Sequence, residues 1–201
     1  MFLYFSAAYQ AGPCVLAQLL ALSALGLAYA LPWPFRLFKV RRLRDLPMSK
    51  TISTAGGWAV LLAGPAILAD PPLIPRTMAG LSLTAVIAGA IFLNVLARTM
   101  IMDLQEVFGD RLFGRKTMAS LLGRAKAIRL LAAVLVIWAL YLLAALALGG
   151  PPTILWLCLT GPLYNAAILM RRWRDLGLMG FQLDLILDAQ FVLSGLGYWI
   201  L

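Results

Sequence analysis

Six runs of about nineteen residues, each apolar enough to cross a hydrocarbon layer as a helix, take up most of this chain. They cover approximately residues 13–31, 52–69, 78–96, 130–148, 151–170 and 182–201. Lipid offers no water to satisfy peptide N–H and C=O groups, so a helix, which bonds its own backbone, is the natural solution for such runs. The separators are turn chemistry, "DPPLIP" at 70–75 and "GGPP" at 149–152, and charged runs elsewhere. The expected fold is all-α, a multi-pass transmembrane helix bundle forming a single membrane domain over 1–201.

Composition agrees: of the 201 residues 63% are hydrophobic and 12% are charged, where a soluble domain carries about a quarter charged. A net charge of +9 would suggest nucleic acid in a soluble protein, but its distribution argues otherwise. Fifteen of the seventeen Lys and Arg fall in residues 36–50, 111–129 and 171–174. These are alternate loops of the six-span arrangement, and the two intervening loops contain only Arg76. That is the positive-inside pattern. It predicts an integral membrane protein with basic loops on the cytoplasmic side, in the inner membrane if the source is bacterial, and no nucleic-acid partner. Topology and attraction to anionic lipid explain most of these charges, and some are available to an anionic substrate.

Cys14 and Cys158 each stand alone in an apolar run, so neither a disulfide nor a cysteine metal site is indicated. The chain has no histidine. That excludes Ser–His hydrolysis, His-ligated zinc or haem, and a His general base. Polar chemistry here must use carboxylates, Lys or Arg, Tyr, Ser or Thr, or Asn.

With the basic loops inside, the first span runs inward and places Met1 outside. "MFLYFSAAYQAG" lacks the basic start of a signal peptide. Residues 1–12 read as the last turns of a helix that began earlier, in a larger bundle of which this chain is the C-terminal part. The alternative is an N-out protein with a short interfacial lead.

The most informative stretch is "MDLQEVFGDRLFGRKT", residues 102–117, which gathers three of the eight acidic residues directly after an apolar run. If the third helix continues, Asp103, Glu106 and Asp110 stand at i, i+3 and i+7, within an arc of about 60°. Ion pairs on a helix surface form at i±3 and i±4. None of those positions around the three carboxylates holds Lys or Arg. Two carboxylates about 6 Å apart repel by roughly 3 kcal/mol at an effective dielectric of 20. A divalent cation, a base from another helix or a raised pKa must compensate. All-oxygen acidic donors suit Mg²⁺, which commonly bridges carboxylates to a phosphate, and Arg111, Arg115 and Lys116 follow at once. The competing reading is a helix end held by ion pairs to another helix.

"LARTMIMDLQEVFGDRLFGRKTMASLLG" resembles the second aspartate-rich motif of the UbiA family of intramembrane prenyltransferases. There an Arg-bearing helix runs into D-x-x-D-x-x-x-D, followed by Gly and a Thr-Leu-Pro-like stretch ending in Gly. Asp103 and Asp110 match the aspartates, Glu106 replaces the middle one, and Arg98, Gly114, Thr117 and Gly123 also fit. Phe108 stands where an acidic residue is frequent. "LAYALPWPFRLFKVRR" is similar to the Tyr–Ser–Pro-rich end of the family's fourth helix, with Tyr29 matching the Tyr and Ala30 in place of Ser. "LDLILDAQFVLSGLGYWIL" resembles the last helix. The family has about nine helices and a first motif, N-x-x-x-D-x-x-x-D, which nothing here matches; this chain corresponds to about six of the nine.

The resemblance implies Mg²⁺-dependent transfer of a prenyl group from a polyprenyl diphosphate to an acceptor, often aromatic, as in isoprenoid or quinone biosynthesis. It implies that Asp103, Glu106 and Asp110 are metal–diphosphate ligands. Arg98, Lys39 and Arg111 would contact the diphosphate, and Tyr29 would line the cavity. Snorkelling is the alternative for Arg98 and interfacial anchoring for Tyr29. A partner chain would have to supply the first aspartate motif if this chain lacks it.

Asp184 and Asp188 stand at i and i+4 inside the last span and are expected to face the bundle, pairing with Arg from the neighbouring loop or orienting substrate. Asn94 and Asn165 read as inter-helix hydrogen-bonding groups rather than ligands. Two other functions compete with the prenyltransferase: a non-catalytic relative acting as a membrane partner subunit, and a small transporter with a carboxylate-lined cation path.

Overall fold

The computed structural model describes residues 9–31, 46, 48–72, 74–107, 112, 117–150, 153–172 and 180–200. All regular structure among them is helical: α1 (Pro13–Ala30), α2 (Ser49–Leu68), α3 (Met78–Gln105), α4 (Met118–Leu122), α5 (Arg124–Ala147), α6 (Thr153–Cys158), a π-helical turn (Leu159–Leu163), α7 (Tyr164–Arg172) and α8 (Gly180–Ile200). Four of these, α1, α2, α3 and α5, are long and apolar enough to cross a membrane. Among the described residues, the apolar stretches in the last two predicted runs cover Ile154–Met170 and Leu185–Ser194. This is an all-α membrane protein. The predicted third span of 78–96 is too short: α3 continues to Gln105, 28 residues or about 42 Å at 1.5 Å per residue. The predicted fifth span is interrupted by the π turn.

By Cα proximity the chain divides into two compact units, residues 1–92 with 115–117, and residues 93–114 with 118–201. In the first unit, α1 begins at Pro13, where a missing N–H is harmless because the first turn has no intrahelical acceptor. Just before it, the Asp70 N–H donates to the carbonyl of Ala11 at 2.9 Å, and Val15 packs with Ala69, Leu16, Leu19 and Leu68. Gln18 reaches α2, donating to the carbonyl of Val60 at 2.5 Å; any side chain at Gly64 would collide with that amide. Thr51, Ala55, Ala59 and Ala63 form a buried stripe of small residues along α2, the pattern that lets apolar helices approach closely. Arg76, the lone base of its loop, donates to the carbonyls of Ile67 and Ala69 at 3.1 and 3.3 Å and so caps the C-terminal end of α2. Thr77 Oγ1 accepts from the Gly80 N–H at 3.2 Å, a side-chain N-cap for α3.

In the second unit, α5 buries Ala127, Leu131, Leu135, Trp138, Leu142 and Ala145, a stripe at three- and four-residue spacing that defines its packed face. Trp138 presses on the π turn: a Cβ at Gly161 would lie 2.6 Å from its Cζ2 and 2.8 Å from its Cη2. Only glycine fits there. Pro162, inside the turn, has no N–H to give the preceding turn, and this local loss of an α-helical bond accompanies the wider π spacing.

Candidate functional site

The acidic stretch begins where sequence periodicity put it, on a continuing third helix. Asp103 lies on α3, and the Glu106 N–H still donates to the carbonyl of Met102 at 3.1 Å, so the two carboxylates are one helical turn apart. Their environments differ. Asp103 is 1% exposed, among the most enclosed side chains described, whereas Glu106 is exposed. The expectation of a single shared face is therefore only partly met: the 60° between them takes Glu106 out of the packed side. Asp103 does interact with its surroundings; its Oδ1 is the oxygen that is buried and accepts no hydrogen bond. Asp110 and Arg111 lie outside the described residues, as do Lys39, Arg115 and Lys116. Among the described residues no three Asp, Glu or Cys side chains come together as a metal-holding group.

Arg98 points elsewhere. At about 100° per residue it stands about 140° round α3 from Asp103, and it meets α8: its Nε and Nη2 both lie 2.8 Å from Asp188 Oδ1. Asp188 thus takes its base from a helix, not from the neighbouring loop as expected. The pair is open on one side, with side-chain exposures of 25% for Arg98 and 54% for Asp188. Asp184 lies on α8 as predicted.

One turn before Arg98 on the same side of α3, Asn94 joins a chain of amides. Asn165 Nδ2 donates to the carbonyl of Gly161 at 2.9 Å and to Gln190 Oε1 at 2.6 Å. Gln190 Nε2 in turn donates to Asn94 Oδ1 at 2.7 Å. The polarity is determined by the backbone: the Gly161 carbonyl can only accept, so Nδ2 must face it, and the donors then run from α7 through α8 to α3. Gln190 and Asn165 are completely buried. Around this chain Trp156 Nε1 donates to the carbonyl of Leu193 at 2.8 Å, Thr160 and Ser194 share a 2.9 Å hydroxyl contact, and the Tyr164 hydroxyl donates to the carbonyl of Ile186 at 2.8 Å. The expectation that Asn94 and Asn165 make inter-helix hydrogen bonds holds. Gln190, the centre of the chain, was missed, although an amide inside an apolar run was signal enough.

Tyr29 belongs to the first unit, where its hydroxyl is 3.2 Å from that of Ser49; its described partner is thus the first residue of α2. Both cysteines are free, Cys14 exposed and Cys158 buried.

The arrangement offers two kinds of polar chemistry: a hydrogen-bonded seam linking α3, α7 and α8, and a buried carboxylate near the end of a long apolar helix with a second one a turn on. No protein-family model, curated protein or solved structure matches the chain.

Proposed function

We propose that the chain is a multi-pass intramembrane prenyltransferase that uses Mg²⁺ to hold a polyprenyl diphosphate at the end of α3. The observation that carries the reading is the placement of Asp103: an acidic side chain, 1% exposed, two positions before the end of a 28-residue apolar helix. A carboxylate in apolar surroundings attracts a cation far more strongly than one in water, and the positions at helix-pairing distance hold Thr99, Met100, Glu106 and Val107. Asp103 and Glu106 would hold the ion together with Asp110, a set of oxygen donors in a chain without histidine, which suits Mg²⁺. When bound, the ion would neutralise charge developing on the leaving diphosphate.

The chain's own residues do the rest. α3 exceeds the ~30 Å apolar thickness of a bilayer, so its acidic end reaches the polar boundary while its body lies among lipid tails. A diphosphate headgroup and a prenyl tail need that combination. Arg111, directly after Asp110, supplies a base for the diphosphate. The apolar helices exclude water that would otherwise quench an allylic cation.

The test is binding of farnesyl diphosphate to the full chain in lipid nanodiscs, with Mg²⁺ or with EDTA. The reading expects affinity to fall roughly 10–100-fold when the metal is removed. Tight binding that ignores EDTA would overturn it. No binding under either condition would favour the non-catalytic membrane partner.

A further inference from the structure

One side of α5 is packed and the other is open. Opposite the buried stripe that runs from Ala127 to Ala145, Lys126, Arg129, Ala133, Val136, Ile137 and Leu140 are all exposed. At about 100° per residue these six share an arc of about 100°, so they form one continuous face. Val136, Ile137 and Leu140 are each more than half exposed.

The face changes character along its length. Its two bases stand near the start of α5, and no charged residue follows Arg129 in the helix. From Arg129 to Leu140 the rise is roughly 16 Å at 1.5 Å per residue, about half the ~30 Å hydrocarbon thickness of a bilayer. The bases therefore stand at a headgroup level, and the apolar strip spans one leaflet. Long basic side chains at such a level keep the charge in the polar layer and lay their stems on apolar surface.

The protein does not neutralise these bases. At helix-pairing distance Lys126 has Leu122, Gly123, Arg129 and Leu130, and Arg129 has Ala125, Lys126, Ala132 and Ala133. Each has the other as its one charged neighbour there, and the two repel. Among the described residues neither forms an ion pair. The first turn of α5 holds no acidic residue, and the helix dipole is positive at that end. A soluble anion would satisfy the bases alone, and an apolar helix the strip alone. An anionic phospholipid satisfies both.

We propose that Lys126 and Arg129 hold the headgroup phosphate of one anionic phospholipid, whose acyl chain lies along Ala133, Val136, Ile137 and Leu140. This is narrower than the positive-inside preference, which is indifferent to where round a helix a charge stands. Arg124 is also exposed, but it stands about 140–160° round α5 from the two bases and lies off the face. The face uses none of the residues assigned to the diphosphate, so either reading can fail alone.

The test is native mass spectrometry of the full chain in a non-ionic detergent, with equal amounts of phosphatidylglycerol and phosphatidylcholine of one chain length. One phosphatidylglycerol is expected to stay bound in preference to phosphatidylcholine. A base at an anionic lipid surface strengthens binding roughly fivefold. Lys126→Gln and Arg129→Gln should therefore each weaken retention by about that factor, while Arg124→Gln, the same change in charge, leaves it within about twofold. Circular dichroism checks that each variant keeps its helicity, and the comparison of the two lipids needs no variant. Equal retention of both lipids overturns the proposal. So does an equal loss in all three variants, which would mark bulk charge, or displacement of the lipid by millimolar inorganic phosphate, which would mark a plain anion site.

Discussion

α3 presents two polar regions that differ in the side chains they hold and in how these are buried. Asn94 and Arg98, one turn apart, are matched group for group by Gln190 and Asp188 of α8. Further along, Asp103 and Glu106 carry like charge, one buried and one exposed, with no base at helix-pairing positions. In an apolar medium, polar side chains that satisfy one another act as fasteners. Acidic groups clustered without local bases are what a cation-dependent site requires. The lesson is that a charge inside an apolar helix is not by itself a functional signal: Arg98, expected from the sequence to contact a diphosphate, pairs with Asp188 of α8.

The comparison breaks most readily at its acidic end. Asp103→Asn keeps size and shape but removes the charge, and is expected to lower Mg²⁺-dependent prenyl transfer roughly 10²–10³-fold with unchanged helicity and membrane insertion. Turnover within a few-fold of the parent would remove Asp103 from the site. Glu106→Gln, at an exposed position, sharpens the distinction; the expected loss is smaller, about tenfold, and appears as a higher Mg²⁺ requirement in a metal titration.

The fasteners should register in stability instead. Gln190→Leu deprives both Asn94 and Asn165 of a partner, at about 1–3 kcal/mol for each group left buried, read as a lower unfolding midpoint in one detergent. An unchanged midpoint would mean that the amide chain does not hold α3, α7 and α8 together. Gly161→Ala forces a methyl group against the Trp138 ring and should cost about 1–3 kcal/mol, part of it recovered in the Trp138→Phe background. The smallest effect belongs to the half-open ion pair. A double-mutant cycle of Arg98→Gln and Asp188→Asn should give a coupling of about 0.5 kcal/mol or more, and additive losses would deny the pair.

Much of the fold is legible in the sequence because lipid leaves so few options. Runs of apolar residues give helices, and Pro13 and the Gly149–Gly150 break appear at their ends. The overshoot of α3 was less visible: residues 97–105 mix charge with Ile and Met, and a hydropathy window averages such a stretch away although helical bonding continues through it. The π turn is equally hidden, since a Pro in a span marks a disturbance but not its form. For the site, spacing placed Asp103 and Glu106 one turn apart, but it could not distinguish the buried member from the exposed one. That depends on which helices pack against α3, a property of tertiary structure. The Arg98–Asp188 pair joins residues ninety positions apart and is beyond any local pattern.

The central claim is that the two regions of α3 have different jobs. It is tested most directly by measuring Mg²⁺-dependent farnesyl diphosphate binding to Asp103→Asn and to the Arg98→Gln/Asp188→Asn double variant side by side. The account predicts that binding disappears in the first and persists in the folded second. Binding that survives in Asp103→Asn but is lost in the double variant would contradict it, and would move the anion site to the seam between α3 and α8.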